Sequence, residues 1–251
     1  MCILFILRQK SSKWPLMIAT NRDEFYERDF YQPGYHWKKY PNIFAGQDKK
    51  AGGSWLGINT SGLCIAILNR ASNNIKNKKK LESRGDIVIN LLKYKNALNA
   101  KNIFLNNFKK KYNFFNLFIA DNKNAFWIKY DNYLIESSPI PYGYSILDNQ
   151  NLNDKNSLRQ EINKKTFQTT KHPLPEKNDF QGWKKLLMRK KQMVDSELAS
   201  IYVNKTINDY GTVCSSIIVL PGNKNSNKNI FWIYRDSLSA KPGFRKLKIY
   251  R

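Results

Sequence analysis

The sequence predicts an α+β fold of mainly antiparallel sheets with helices packed outside them. Three observations lead there. The residue patterns run strands, helices, strands, helices, strands along the chain. Short polar or glycine-bearing turns join most neighbouring strands, which marks hairpins rather than crossovers. No internal repeat or sharp change of composition divides the 251 residues, so a single domain over 1–251 is expected.

Cys2–Arg8 (CILFILR) is apolar, β-branched and aromatic enough for a strand, and Pro15–Thr20 (PLMIAT) for a second. The polar stretch Gln9–Lys13 turns the chain between them. A hairpin centred near Ser12 pairs residues whose numbers sum to about 24, so Cys2 is expected opposite Arg22, within a residue or two. An aromatic-bearing loop, Phe25–Tyr40, ends at Pro41, and Asn42–Gly46 reads as a short strand. The glycine pair in Ala51–Trp55 is not a phosphate loop, because no Gly-Lys-Ser/Thr follows and no helix opens there. It permits a bend or a close backbone approach. Ser54–Asn59 and Leu63–Asn69 form a second hairpin about Thr60-Ser61-Gly62.

Asn73–Lys80 is a basic, polar loop. Ser83 and Asp86 have the spacing of a capping box, and Ile87, Leu91, Tyr94 and Leu98 repeat at helical spacing behind it. A second helix is expected over Ala100–Phe108, followed by strands over Phe114–Ala120, Ala125–Tyr130 and Tyr133–Glu136. After the loop Asn149–Asn156, helices are expected near Leu158–Thr166 and Phe180–Ser200. Strands at Val213–Leu220, Ile230–Tyr234 and Lys246–Tyr250 close the chain, with Gly222–Asn229 as a hairpin loop.

The formal charge of +24 points to an anionic partner: nucleic acid, a membrane surface or an acidic ligand. The cations are mostly lysines scattered through an asparagine- and isoleucine-rich chain, with short runs at Lys76–Lys80, Lys109–Lys111 and Lys184-Lys185. That is a drift of composition onto solvated faces. With no RNA-recognition signature and no zinc finger, nucleic acid is not the expected partner. Three cysteines, an odd number, argue against a disulfide scaffold. His36 and His172 stand far from any cysteine pair, so no metal site is expected. No apolar stretch approaches the roughly 20 residues that span a bilayer. The first strand is too short for a secretory signal and lacks a small-residue cleavage site, which leaves the cytoplasm as the expected location.

Cys2 carries the most chemistry. Loss of Met1, expected because residue 2 is small, leaves a cysteine with its own nucleophile and its own base. The amine has an ordinary pKa near about 8 and the thiol near about 8.5. Arg22 beside it would favour the thiolate, and the Asp23 carboxylate could hold the amine. The alternative is that Cys2 is a small buried hydrophobe and Arg22–Asp23 a surface ion pair.

Several blocks point further. They are Met1-Cys2, Ala19-Thr20-Asn21-Arg22-Asp23-Glu24-Phe25-Tyr26, Ala45-Gly46-Gln47-Asp48 and Ala51-Gly52-Gly53-Ser54-Trp55-Leu56-Gly57. Leu68-Asn69-Arg70, Ser83-Arg84-Gly85, Tyr210-Gly211-Thr212 and Tyr234-Arg235 follow. In this order, over nearly the whole chain, they resemble the NRDE family of transport and Golgi organisation protein 2-like proteins. The resemblance implies the N-terminal nucleophile hydrolase fold, a four-layer αββα sandwich. It makes Cys2 the counterpart of that fold's nucleophile. Arg22 and Asp23 match the pair that flanks it in the choloylglycine-hydrolase branch. Gly57–Leu63 resembles that branch's G-x-N-x-x-G-L turn, which places Asn59 near the oxyanion, with Asn69 as a further candidate. Asn21, Trp55, Arg70 and Arg84 are the ligand-binding candidates. Two blocks depart from the family pattern: Val213 follows Tyr-Gly-Thr where an arginine is usual, and Tyr142-Gly143-Tyr144-Ser145-Ile146 replaces Tyr-Gly-Leu-Ser-Asn.

Two functions follow from the resemblance. One is binding or trafficking of an anionic lipophilic ligand such as haem or an acyl-lipid, with no cofactor required. Trp14, Trp37, Trp55 and Trp127 would offer aromatic walls, Arg22, Arg70 or Arg84 would hold carboxylates, and His36, Cys2 or Cys214 are the candidate iron ligands. The other is hydrolysis of a linear C–N amide. Cys2 would attack, its amine would move the proton, and Asn59 with backbone N–H groups would hold the oxyanion.

Overall fold

A computed structural model describes residues 2–71, 81–109, 111–131, 133–190, 199–222 and 230–249. Met1, the predicted basic loop up to Lys80, the loop after Gly222, the far part of the predicted helix Phe180–Ser200 and Tyr250 lie outside the described residues. The strands of the first half are β1 (Ile3–Arg8), β2 (Leu16–Phe25), β3 (Phe30–Gly34), β4 (Ile43–Asp48), β5 (Leu56–Asn59) and β6 (Cys64–Asn69). Helices α1 (Gly85–Leu91) and α2 (Ala97–Asn107) follow, then β7 (Phe115–Ala120), β8 (Ala125–Asp131), β9 (Leu134–Pro139) and β10 (Gly143–Leu147). Helices α3 (Leu158–Thr169) and α4 (Gln181–Leu187) precede β11 (Tyr210–Leu220), β12 (Phe231–Asp236) and β13 (Arg245–Lys246). The fold is α+β, with two antiparallel sheets. The chain divides into two compact units, one of Met1–Glu27 with Pro141–Ile249, the other built on Arg28–Ile140.

The first unit holds a six-stranded sheet in the order β10-β1-β2-β11-β12-β13. β1 and β2 pair from Ile3↔Asn21 to Arg8↔Leu16, so partner numbers sum to 24, the register the short hairpin predicts. The paired register begins at Ile3, and Cys2, one residue before it, meets the carbonyl of Asp23, one residue from the expected Arg22. β2 runs past its predicted end to Phe25, because β11 pairs with it along Asn21–Phe25 and satisfies a backbone that the polar side chains do not advertise as strand. β10 escapes the sequence pattern: it is short, and it opens at Gly143 with φ +90, a conformation that disfavours side chains. On one face of the sheet Ile3, Phe5, Ala19, Ile217 and Val219 pack with Phe167 of α3 and with Trp183 and Leu187 of α4. Leu4, Ile6, Ile18 and Ile218, of opposite parity, are buried too. These strands therefore read as unbroken apolar runs rather than alternating ones.

The second unit is a seven-stranded meander, β3 to β9 in sequence order, with α1 and α2 inserted between β6 and β7. Ile43, Ile65, Leu117 and Ile128 form its core with Val88, Leu92, Ala97 and Ala100. β3 lies inside the predicted loop because Pro33 and Gly34 mask it; as an edge strand it tolerates both. The capping box does not form. Arg84 is the N-cap of α1 without a side-chain cap bond, and the Ser83 hydroxyl oxygen accepts from the Gly85 N–H at 3.2 Å. The true side-chain caps are Asn96, accepting from Asn99 N–H at 2.9 Å on α2, and Ser157, accepting from Gln160 N–H at 3.3 Å on α3.

The glycine pair does what the sequence suggests. Gly52 bends the chain at φ +75, and Gly53 lets it touch the start of α1. A Cβ on Gly53 would sit 2.4 Å from the Gly85 carbonyl carbon, where the Ser54 N–H donates to the Gly85 oxygen at 3.1 Å. Two of the sequence blocks thus dock on one another. Gly53→Ala is expected to cost on the order of 1–3 kcal/mol, seen as a lowered midpoint in thermal denaturation, because the backbone itself must shift. Among the described residues no helix is long and apolar enough to cross a membrane.

Candidate active site

Cys2 sits at the entrance of β1, partly exposed, with its sulfur 3.9 Å from the carbonyl oxygen of Asp23. The Tyr210 hydroxyl donates to that same oxygen at 2.9 Å. The Asp23 carboxylate is fully buried. It accepts from the Thr212 hydroxyl at 2.6 Å and from Arg159 Nη2 at 2.9 Å. Arg159 also donates to the carbonyls of Ser200, at 3.0 Å, and Ile201, at 3.2 Å. Both members of this ion pair are thus tied into neutral donors and acceptors, as a buried pair requires.

Strand geometry explains who faces whom. Alternate residues of β2 point to opposite faces. Asn21 and Asp23 share the face that α3 and α4 cover, where the Asn21 amide donates to the carbonyls of Leu187 and Ile201, each at 2.8 Å. Arg22 points the other way, 3.7 Å from the Glu24 carboxylate and opposite Cys214 in the register with β11. That register slips between Thr212 and Cys214, so Val213 is the extra residue of a β-bulge. Val213, standing where the family pattern has arginine, is fully buried there. A guanidinium reaches Asp23 from Arg159 instead.

The Tyr-Gly-Thr block acquires a physical reading. Tyr210 holds the Asp23 carbonyl and Thr212 its carboxylate. Thr212 also accepts from the Val203 N–H at 2.9 Å, and its own N–H donates to the Val203 oxygen at 2.9 Å. The segment after Val203 therefore lies close along β11. A Cβ on Gly211 would stand 2.9 Å from the Asn204 oxygen, which is why the middle position carries no side chain.

The electrostatics qualify one expectation. Burial pushes the Cys2 thiol above its ordinary pKa, and the Asp23 carboxylate adds to the rise. The bond to the Asp23 backbone and Arg22 pull the other way without prevailing. Arg22 does favour the thiolate as the sequence suggests, but burial outweighs it. Alkylation of Cys2 by iodoacetamide is accordingly expected to rise with pH and to reach half its plateau above the ordinary thiol value of about 8.5. Peptide mass mapping across a pH series measures it. Cys214 is pushed up to about 12 by burial and stays neutral.

Arg159 was not legible from motif spacing. A signal existed: Arg159, Gln160, Asn163 and Phe167 fall on one helical stripe and all are buried. A polar stripe leading to an aromatic anchor marks a helix that serves a buried polar site.

The other predicted residues lie in the second unit. Asn59 donates to the carbonyls of Leu92, at 2.8 Å, and Tyr94, at 2.7 Å, and accepts from the N–H groups of Ser61 and Leu63, each at 3.0 Å. Its own backbone N–H donates to the Leu63 oxygen at 3.0 Å. The residue closes the β5–β6 turn and ties it to the end of α1, so an oxyanion would have to displace one of these bonds. Asn69 is exposed at the end of β6. Arg70 pairs with Asp131 at 2.8 Å and donates to Asn116 at 3.2 Å, and Arg84 donates to the Phe114 carbonyl at 2.9 Å. Trp55 lies over Gly46, where a Cβ would meet its ring at 2.4 Å, and packs edge-on against Phe30. The Trp127 indole N–H donates to Asn116 at 3.0 Å, and Trp37 packs on the core of this unit. His36 Nε2 lies 2.7 Å from the Gln32 carbonyl oxygen. In the first unit, Trp14 is core and donates to Glu176 at 2.6 Å. Among the described residues no group of His, Cys, Asp and Glu is arranged to hold a metal ion.

Residues 1–230 match the family described as Transport and Golgi organisation 2. The chain belongs to this family. Family members from Bos taurus and Mus musculus, each a transport and Golgi organisation protein 2 homolog, are 31% and 33% identical to it over 99 residues. Those stretches cover 37% of this chain and 35% of the relatives, so they span about a third of the relatives' length. Among solved structures, the Caenorhabditis elegans ortholog of N-acylethanolamine-hydrolyzing acid amidase superposes with a TM-score of 0.56 at 12% identity, covering 90% of this chain and 95% of that one. A mutant of the conjugated bile acid hydrolase from Clostridium perfringens gives 0.52 at 11%, covering 98% and 92%. At such identities the likeness shows the fold alone: this family member has the N-terminal nucleophile hydrolase fold.

Proposed function

We propose that the chain is an N-terminal cysteine hydrolase that cleaves a linear C–N amide bond. The observation that carries the reading is the convergence of the Cys2 sulfur and the Tyr210 hydroxyl on one carbonyl of Asp23, whose carboxylate is buried and bonded to Thr212 and Arg159. A buried ion pair adds little net stability over an apolar replacement of the same shape. It is accounted for if it fixes a reacting group. The names of the two structural relatives, an amidase and a hydrolase, support the reaction class by analogy of fold.

With Met1 removed, the α-amine of Cys2 takes the thiol proton. The thiolate adds to the amide carbon, forming C–S and moving the carbonyl pair onto oxygen. The oxyanion collapses, the C–N bond breaks, and the ammonium returns its proton to the leaving nitrogen. Water then adds to the thioester, gives its proton to the amine, and the C–S bond breaks to yield acid and free thiol. The test is release of 7-amino-4-methylcoumarin from a series of acyl amides, acetyl to dodecanoyl, by the processed protein. Turnover that disappears in Cys2→Ala supports the proposal. No release from any member, with no acyl group found on Cys2, contradicts it.

A second reading rests on a cavity of about 250 Å³ in the second unit, lined by Leu91, Tyr94, Phe104, Phe108, Tyr112 and Lys109, among others. An aromatic lining with a cation at the rim suits a lipophilic anion. Lys111, also lining it, is paired with Glu82, which leaves Lys109 as the candidate for the anionic end. The volume fits a short acyl chain better than a haem macrocycle. Calorimetric titration with decanoate is expected to show binding that Phe108→Asp abolishes, and a haem titration without a Soret shift removes the haem version.

A further inference from the structure

We propose that Tyr210 is a catalytic residue of the Cys2 site: its hydroxyl turns from the Asp23 carbonyl to the Cys2 sulfur when the thiol loses its proton. The inference rests on the cysteine chemistry proposed above and names a participant which that chemistry lacks. In the first unit the Cys2 sulfur lies 3.9 Å, and the Tyr210 oxygen 2.9 Å, from a single carbonyl oxygen. A carbonyl oxygen has two lone pairs and accepts both donors, so the S–H and O–H groups meet at one acceptor, and the Tyr210 phenol feels the Cys2 charge. Once the thiol proton has moved to the α-amine, the sulfur becomes an acceptor. Its charge then faces the negative end of the Asp23 carbonyl, a repulsion that a donor must offset. The Tyr210 hydroxyl, turning away from the carbonyl, supplies that donor. The tyrosine keeps its proton throughout, so the step needs no further reactant.

The ring is held for this. It packs edge-on against Phe25, centroids 5.3 Å apart, and the Tyr210 carbonyl accepts from the Thr206 N–H at 2.8 Å. Burial, with Cys2, Asp23 and Glu24 nearby, raises the phenol's pKa against the opposing pull of Arg159. It therefore donates across the whole neutral range. The other charged or titratable side chains that act on Cys2 are Asp23 and Arg22, with Cys214 of β11 also feeling its charge.

The test is the pH dependence of Cys2 alkylation by iodoacetamide, mapped by peptide mass, in the wild type and in Tyr210→Phe. Loss of the donor is expected to raise the midpoint by about one pH unit and to slow alkylation several-fold at pH 8. On any coumarin amide that is cleaved, kcat is expected to fall about tenfold or more with KM little changed. Tyr144→Phe, which removes a phenol hydroxyl packed on Phe167 in the same unit, is expected to leave the midpoint in place. An unmoved midpoint in Tyr210→Phe overturns the proposal, as does a Tyr144→Phe variant that moves it equally. A raised midpoint with no turnover of any amide leaves the Tyr210–Cys2 contact standing and overturns the hydrolase reading instead.

Discussion

Arg159→Met is expected to lower the free energy of unfolding by about 3–5 kcal/mol, the cost of leaving a buried charge without its partner. The Asp23 carboxylate it abandons has no exposed surface, and the guanidinium itself is only 6% exposed, so water cannot replace the contact. The carbonyls of Ser200 and Ile201 lose a donor in the same stroke. Urea denaturation measures the effect. Asp23→Asn in the same background is expected to recover part of it, because the buried carboxylate's charge is removed along with Arg159. If Arg159→Met alone costs less than about 1 kcal/mol, the pair is not the anchor of the site.

Cys2→Ala gives the opposite pattern. Turnover is expected to fall by at least about 10³-fold, as for loss of any covalent nucleophile. Stability is expected to change by less than about 1 kcal/mol, since Cys2 is only partly buried and its sulfur makes a long, weak contact at 3.9 Å. Coumarin release and urea denaturation, run on the same preparation, separate the two effects. The pair of variants thus distinguishes a residue that does chemistry from one that holds the chemistry in place.

The hairpin that carries the site was legible from local pattern alone. Two apolar runs about a polar turn at Ser12 fix a register, and the register fixes the neighbour of Cys2. Asp23 was legible as a residue but not in its environment. Its partners Thr212 and Arg159 are more than a hundred positions away, and only the pairing of β11 with β2 and the docking of α3 bring them in. Long-range pairing also explains why β2 runs beyond Thr20 through four polar residues that no propensity would make a strand. The capping box at Ser83 failed for a tertiary reason too: the chain there is pinned to Gly53 and Ser54, so the helix opens at Gly85. Asn59 shows the converse. Its turn chemistry, visible in the sequence, is the chemistry the structure displays.

The most direct test of the account is an intact-mass measurement of the protein purified from its own host, followed by brief reaction with a 4-nitrophenyl acyl ester. The account predicts a mass lacking Met1 and, after reaction, one acyl group that peptide mapping places on Cys2. A chain that keeps Met1, or that carries its acyl group on any other residue, contradicts it.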